Sequence, residues 1–155
     1  MLYSGRILIT DDDPNMQKFL QACLEPAGYE TVTASDGEQA LNSLGQSTFD
    51  LALVDYLMPK MDGLNVLEQI SERRIPVGPL LLTAYYDFGL IIEAMRRGAL
   101  DCVMKPTPPD KLLLVLDETM ERHWARELGL PPLPSWRGHD LSRIGNASSQ
   151  SIPDL

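Results

Sequence analysis

Residues 6–15 read RILITDDDPN, and the junction inside this stretch decides the fold. RILIT is a short, β-branched apolar run, the composition of a strand. Asp13-Pro14 has the form of a helix start, with Asp13 as N-cap and Pro14 in the first helical position. Met16, Phe19, Leu20, Cys23, Leu24 and Ala27 follow at helical spacing, and Gly28 stands where a C-terminal cap belongs. A strand therefore hands over to a helix across three adjacent aspartates. Asp11, Asp12 and Asp13 repel one another, so the junction is either a well-solvated charged turn or a place that holds a cation.

The same alternation runs outward along the chain. YETVTA (29–34) reads as a second strand and DGEQALNSL (36–44) as a second helix. DLALVDYL (50–57) is the most uniformly apolar strand, as expected where both faces are covered. PKMDG (59–63) is a turn and LNVLEQIS (64–71) a third helix. VGPLLLTA (77–84) is a fourth strand with Pro79 near its start, and DFGLIIEAMRRG (87–98) a fourth helix. DCVMK (101–105) is a short fifth strand, and a fifth helix runs over 109–129. Five strand–helix units with short connections predict an α/β fold, a doubly wound parallel sheet with helices on both faces.

Composition narrows the function. The chain has 155 residues, a net charge of −9 and a pI near 4.6. This charge disfavours direct binding of nucleic acid or anionic membrane. Cys23 and Cys102 sit in apolar patterns without metal-type spacing and read as buried free thiols of a cytoplasmic protein. There is no signal-peptide core and no apolar run of membrane-spanning length. Residues 129–155 are rich in Pro, Ser and Gly, lack a period and carry balanced charge, so they are expected to form a flexible tail or linker behind a domain of residues 1–128.

In open α/β sheets, ligands gather beyond the carboxyl ends of the strands. The first strand delivers Asp11 and Asp12 there, the third Asp55, the fourth Thr83 and the fifth Lys105. Converging carboxylates raise one another's proton affinity. A hard divalent cation such as Mg²⁺ relieves that cost. A metal, a lysine and a hydroxyl around one carboxylate form a cradle for a phosphoryl group, and the carboxylate can itself be the acceptor.

With these residues in place, the chain resembles a response-regulator receiver domain of two-component signalling. The resemblance rests on the acidic pair of ILITDDDPN, Asp55 in LALVDYLMPKMDG, Thr83-Ala84 in LLLTAY and Lys105-Pro106 in GALDCVMKP. It covers about residues 5–128, and TAYYDFGLIIEAMRRGALD looks most like receivers of enhancer-binding transcription activators. It implies a (βα)5 flavodoxin-like sheet of strand order 2-1-3-4-5. It implies that Asp55 accepts phosphate from a sensor histidine kinase or phosphotransfer protein. Asp12, Asp55 and the backbone carbonyl of Leu57 would bind Mg²⁺, or Mn²⁺ in its place, and Asp11 would act through water. Thr83 and Lys105 would hold phosphoryl oxygens and switch on modification. Asp13 is then left to cap the first helix.

One position departs from the pattern. The family usually carries Tyr or Phe three residues before the lysine, and this chain has Cys102. Tyr85 or Tyr86 is expected to fill part of the missing ring's space. Output is expected through the face of the fourth helix, fifth strand and fifth helix, as a homodimer or with another partner. Leu90 and Leu114 read as apolar residues beyond the core stripes there. His123 reads as a helix-surface residue, and Trp124 as a cover on the edge of the core.

Two other readings use the same residues. A haloacid-dehalogenase-type phosphohydrolase would phosphorylate Asp11, but Asn15 and the lack of an acidic pair after Lys105 fit it poorly. A binding module of the same fold would take no phosphate. The chain also reads as the front of a longer regulator.

Overall fold

The computed structural model describes residues 5–85 and 87–131. In chain order the elements are β1 (Arg6–Thr10), α1 (Pro14–Leu24), a 3-10 turn (Glu25–Ala27), β2 (Glu30–Ala34), α2 (Gly37–Gln46), β3 (Leu51–Asp55), α3 (Gly63–Glu72), β4 (Gly78–Thr83), α4 (Phe88–Arg96), β5 (Asp101–Met104) and α5 (Pro109–Glu127). All five strands are parallel, in the order β2-β1-β3-β4-β5. The doubly wound expectation and its strand order hold. Tyr86 and residues 132–155, Trp136 and His139 among them, lie outside the described residues.

Alternating side chains explain the two covered faces. Ile7, Ile9, Leu51, Leu53, Leu80 and Leu82 point into a layer closed by Leu20 and Leu24 of α1 and Leu112, Leu116 and Met120 of α5. Leu8, Ala52 and Val54 point the other way, against Ala40 and Leu44 of α2 and Val66 and Ile70 of α3. β3 is buried along its whole length, which accounts for its uniformly apolar sequence.

Local chemistry sets the ends of the elements. The Asp13 side chain accepts the Asn15 N–H at 2.9 Å, Asp36 that of Gln39 at 2.8 Å and Asp62 that of Asn65 at 2.9 Å. α1 stops at Leu24, earlier than its apolar stripe. Pro26 has no N–H with which to continue it, and Gly28 ends the following turn at φ 105°. Phe19, expected on the inner stripe, is 41% exposed.

Three further expectations are corrected. β3 ends at Asp55, so Tyr56 and Leu57 belong to the loop after it. Leu90 is core, packed with Leu67, Leu81, Ala94 and Ala99, and the exposed apolar residues of α4 are Phe88, Ile92 and Met95. FGLIIEAM is apolar on nearly every side, so its spacing could not choose the buried face. His123 is 5% exposed, under the far end of the sheet. Trp124 does pack against the edge of the core, and its Nε1 donates to Asp50 Oδ1 at 3.2 Å. Among the described residues no helix is long and apolar enough to cross a membrane.

Candidate phosphoryl and metal site

Register brings the strand ends to one rim. Thr10 of β1 pairs with Val54 of β3, Asp55 with Leu82 of β4, and Thr83 with Met104 of β5. The next residues of β1 and β5, Asp11 and Lys105, therefore emerge beside Asp55 and Thr83. Lys105 Nζ lies 2.8 Å from Asp11 Oδ2 and 2.9 Å from Asp55 Oδ1. One carboxylate oxygen from each of Asp11, Asp12 and Asp55 lies within 4.8 Å of the others.

The three acids are not equivalent. Asp11 is 1% exposed and both its oxygens are engaged. Its Oδ1 accepts the Asp13 N–H at 2.9 Å, and its Oδ2 accepts from Lys105. Asp12 is exposed, and among the described residues its carboxylate has no hydrogen-bond partner. Asp55 is 8% exposed. Burial raises its pKa above the ordinary carboxylate range against the pull of Lys105, and the charges of Asp11 and Asp12 add to the rise. Burial pulls Lys105 down, but its bonds to Asp11 and Asp55 outweigh this and leave it above the usual lysine range. The pocket thus holds more negative charge than one lysine balances. All-oxygen donors at this spacing, with an open side at Asp12, suit a small hard cation. The Leu57 carbonyl accepts no hydrogen bond from a described residue.

The backbone around Asp55 is held tightly. Tyr56 N–H donates to Leu82 O at 2.9 Å, and Gly63 N–H to Tyr56 O at 2.7 Å. A Cβ on Gly63 would stand 2.5 Å from Asp55 O, so this glycine is what lets α3 start so close to the acid. The sequence offered only a turn glycine after Asp62 as a hint of this. Lys105-Pro106 is a cis peptide. Thr83 is 2% exposed, and its Oγ1 accepts the Tyr85 N–H at 2.9 Å.

Tyr85 stands at the surface beside the site. It is 53% exposed and meets Tyr56 edge-on, with centroids 6.5 Å apart. Tyr56, Leu64 and Cys102 pack against the cluster of Leu67, Leu81 and Leu90. Burial, with Asp101 beside it, pushes the Cys102 thiol up to about 11, so it stays protonated and apolar.

A doubly wound sheet with two acids after β1, one acid ending β3, a hydroxyl ending β4 and a lysine after β5 defines a class of phosphoryl-handling signalling fold. The family model of the response regulator receiver domain matches residues 7–117, and the chain belongs to that family. It is a receiver domain of a two-component response regulator. It is 40% identical to the transcriptional regulatory protein ZraR of Klebsiella oxytoca, over 74% of this chain and 26% of that protein. It is 37% identical to the regulatory protein AtoC of Escherichia coli, over 89% of this chain and 31% of that one. The chain thus spans about a quarter to a third of the length of these relatives. A CheY-like receiver domain from Methanospirillum hungatei superposes with a TM-score of 0.75 at 29% identity, covering 80% of this chain and 99% of the other. The response regulator TrrA of Thermotoga maritima, solved in complex with Mg(2+)-BeF, gives 0.68 at 32% identity, over 74% and 98%. These matches leave the phosphohydrolase reading without support.

Proposed function

We propose that Asp55 is the phosphoacceptor. An Asp55 carboxylate oxygen attacks the phosphorus of a phosphohistidine on a sensor histidine kinase or phosphotransfer protein. The P–N bond breaks, the imidazole leaves with its electron pair and takes up a proton, and an aspartyl phosphate remains. The observation that carries this reading is Lys105 Nζ at 2.8 and 2.9 Å from Asp11 and Asp55, inside a three-carboxylate cluster. Lys105 and Thr83 would hold phosphoryl oxygens, a role supported for Lys105 by its bonds to both Asp11 and Asp55.

Asp12, Asp55 and the Leu57 carbonyl would hold Mg²⁺ or Mn²⁺, with Asp11 acting through water. A cation there would supply the positive charge that lets an anionic phosphodonor approach. The relative TrrA solved with Mg(2+)-BeF supports this assignment. The chain is read as a phosphoacceptor that catalyses its own transfer, not as a turnover enzyme. The protein is read as cytoplasmic, with residues 129–155 as a tail or linker, and output runs through the face of α4, β5 and α5. Exposed Phe88, Ile92 and Met95 support that choice of face.

The test is incubation with acetyl phosphate, with and without Mg²⁺, followed by intact-mass measurement. Wild type is expected to gain one phosphoryl group only with metal, and Asp55→Asn none. An Asp55→Asn chain that labels like wild type would sink the assignment.

A further inference from the structure

We propose that Gln17 is a positioning residue for the cation site, an inference that rests on the reading of Asp12 as a metal ligand. Asp12 is the one acid of the cluster whose carboxylate is unheld among the described residues, so its aim depends on its backbone. Two peptide planes set that backbone, and each has a clamp. The plane after Asp12 is fixed by the Asp13 N–H donating to Asp11 Oδ1 at 2.9 Å. The plane before it is fixed by Gln17, whose Nε2 donates to the Asp11 carbonyl at 2.7 Å.

The same amide reaches the loop after β2. Gln17 Nε2 lies 3.3 Å from Ser35 Oγ and 3.4 Å from Ala34 O. Ala34 O also accepts the Asp11 N–H at 3.1 Å, and Ser35 N–H donates to Gln39 Oε1 at 2.9 Å. Gln17 therefore ties the acidic loop to β2 and α2, the one strand end that sends no charged group to the rim. Its half-buried place on α1, one helical turn beyond Asp13, lets the side chain reach back over the loop. Groups that orient metal ligands in this way commonly matter nearly as much as the ligands themselves.

The role needs an N–H donor of sufficient reach, not glutamine as such. Gln17→Met keeps length and helix propensity but removes the donor, and Gln17→Ala removes it with the least risk to the helix. Gln17→Arg restores a donor. Mg²⁺ affinity of the whole chain is read by titration calorimetry, and the rate of acetyl-phosphate labelling is measured across Mg²⁺ concentrations. Both donor-free variants are expected to weaken Mg²⁺ binding by about 10-fold. Their labelling rate at saturating Mg²⁺ should stay close to wild type, their metal-free melting temperature should hold, and Gln17→Arg should recover most of the affinity. Donor-free variants that bind Mg²⁺ as wild type does would overturn this inference and leave the metal site standing. So would a metal-free melting loss that Gln17→Arg fails to repair, because the residue would then be merely structural. A wild-type chain that binds no Mg²⁺ would overturn the metal reading, and this inference with it.

Discussion

Asp55 carries opposing demands. In the proposed reaction it must be ionised to act as a nucleophile, yet its surroundings favour the protonated form. Its folded pKa is raised by burial first and by Asp11 and Asp12 after that. A raised folded pKa stabilises the fold below the unfolded carboxylate range, and that contribution is lost as pH rises through the folded value. At neutral pH the charged Asp55 therefore costs stability. Asp55→Asn is expected to raise the metal-free melting temperature at pH 7, with the gain shrinking as pH is lowered through the carboxylate range. Added Mg²⁺ should raise the melting temperature of wild type more than that of Asp55→Asn. Calorimetric scans at several pH values check both statements. Equal Mg²⁺ effects on the two proteins would place the cation elsewhere.

At the level of elements, two termini expose how the chain is held. Arg74 follows α3 at φ 52°, a left-handed conformation that glycine adopts without cost to a side chain. Its N–H donates to Ser71 O, and the next N–H, of Ile75, donates to Ile70 O, so the strained residue closes the helix. Arg74→Gly is expected to stabilise the protein by roughly 0.5–1 kcal/mol, measured by urea denaturation. α5 is anchored at its other end. Asp50 Oδ2 accepts the Arg6 N–H at 2.8 Å while its Oδ1 takes Trp124, and His123 lies buried beside them. Burial lowers the His123 pKa despite the opposing charges of Glu127 and Asp50. A depressed folded pKa gives stability that is full above the unfolded value of about 6.5 and is lost as pH falls through the folded one. Wild type should lose stability below neutrality more steeply than His123→Gln. Parallel pH profiles for the two would show that His123 takes no part.

For the whole molecule, the open question is which face meets the next component. Phe88, Ile92 and Met95 crowd one side of α4 at 71%, 42% and 47% exposure, while Leu90 is spent on the core. Apolar side chains concentrated on one helix suit a partner surface better than scattered exposure does. Light scattering on the full chain, with Mg²⁺ and beryllofluoride, is expected to show a rise in mass that Ile92→Lys abolishes. An unchanged mass in wild type would remove self-association and leave a foreign partner for this face.

Much of this protein was legible in its residues because strand and helix periods are local. RILITDDDPN carried a strand, a cap and an acidic junction in ten residues, and the five-fold alternation implied a parallel sheet with one functional rim. Asp11, Asp12, Asp55, Thr83 and Lys105 could be gathered there because a parallel sheet puts all its carboxyl ends on the same side. What the sequence left open was whatever depends on which side of an element faces what. α4 is apolar around most of its circumference, so only packing against Leu67 and Leu81 decided that Leu90 goes in and Ile92 out. His123 and Gln17 look like ordinary surface positions on their helices. Their partners, Asp50 for His123 and the Ala34–Ser35 loop for Gln17, come from other segments, and groups far apart in sequence meet only once the sheet has set the distances between them.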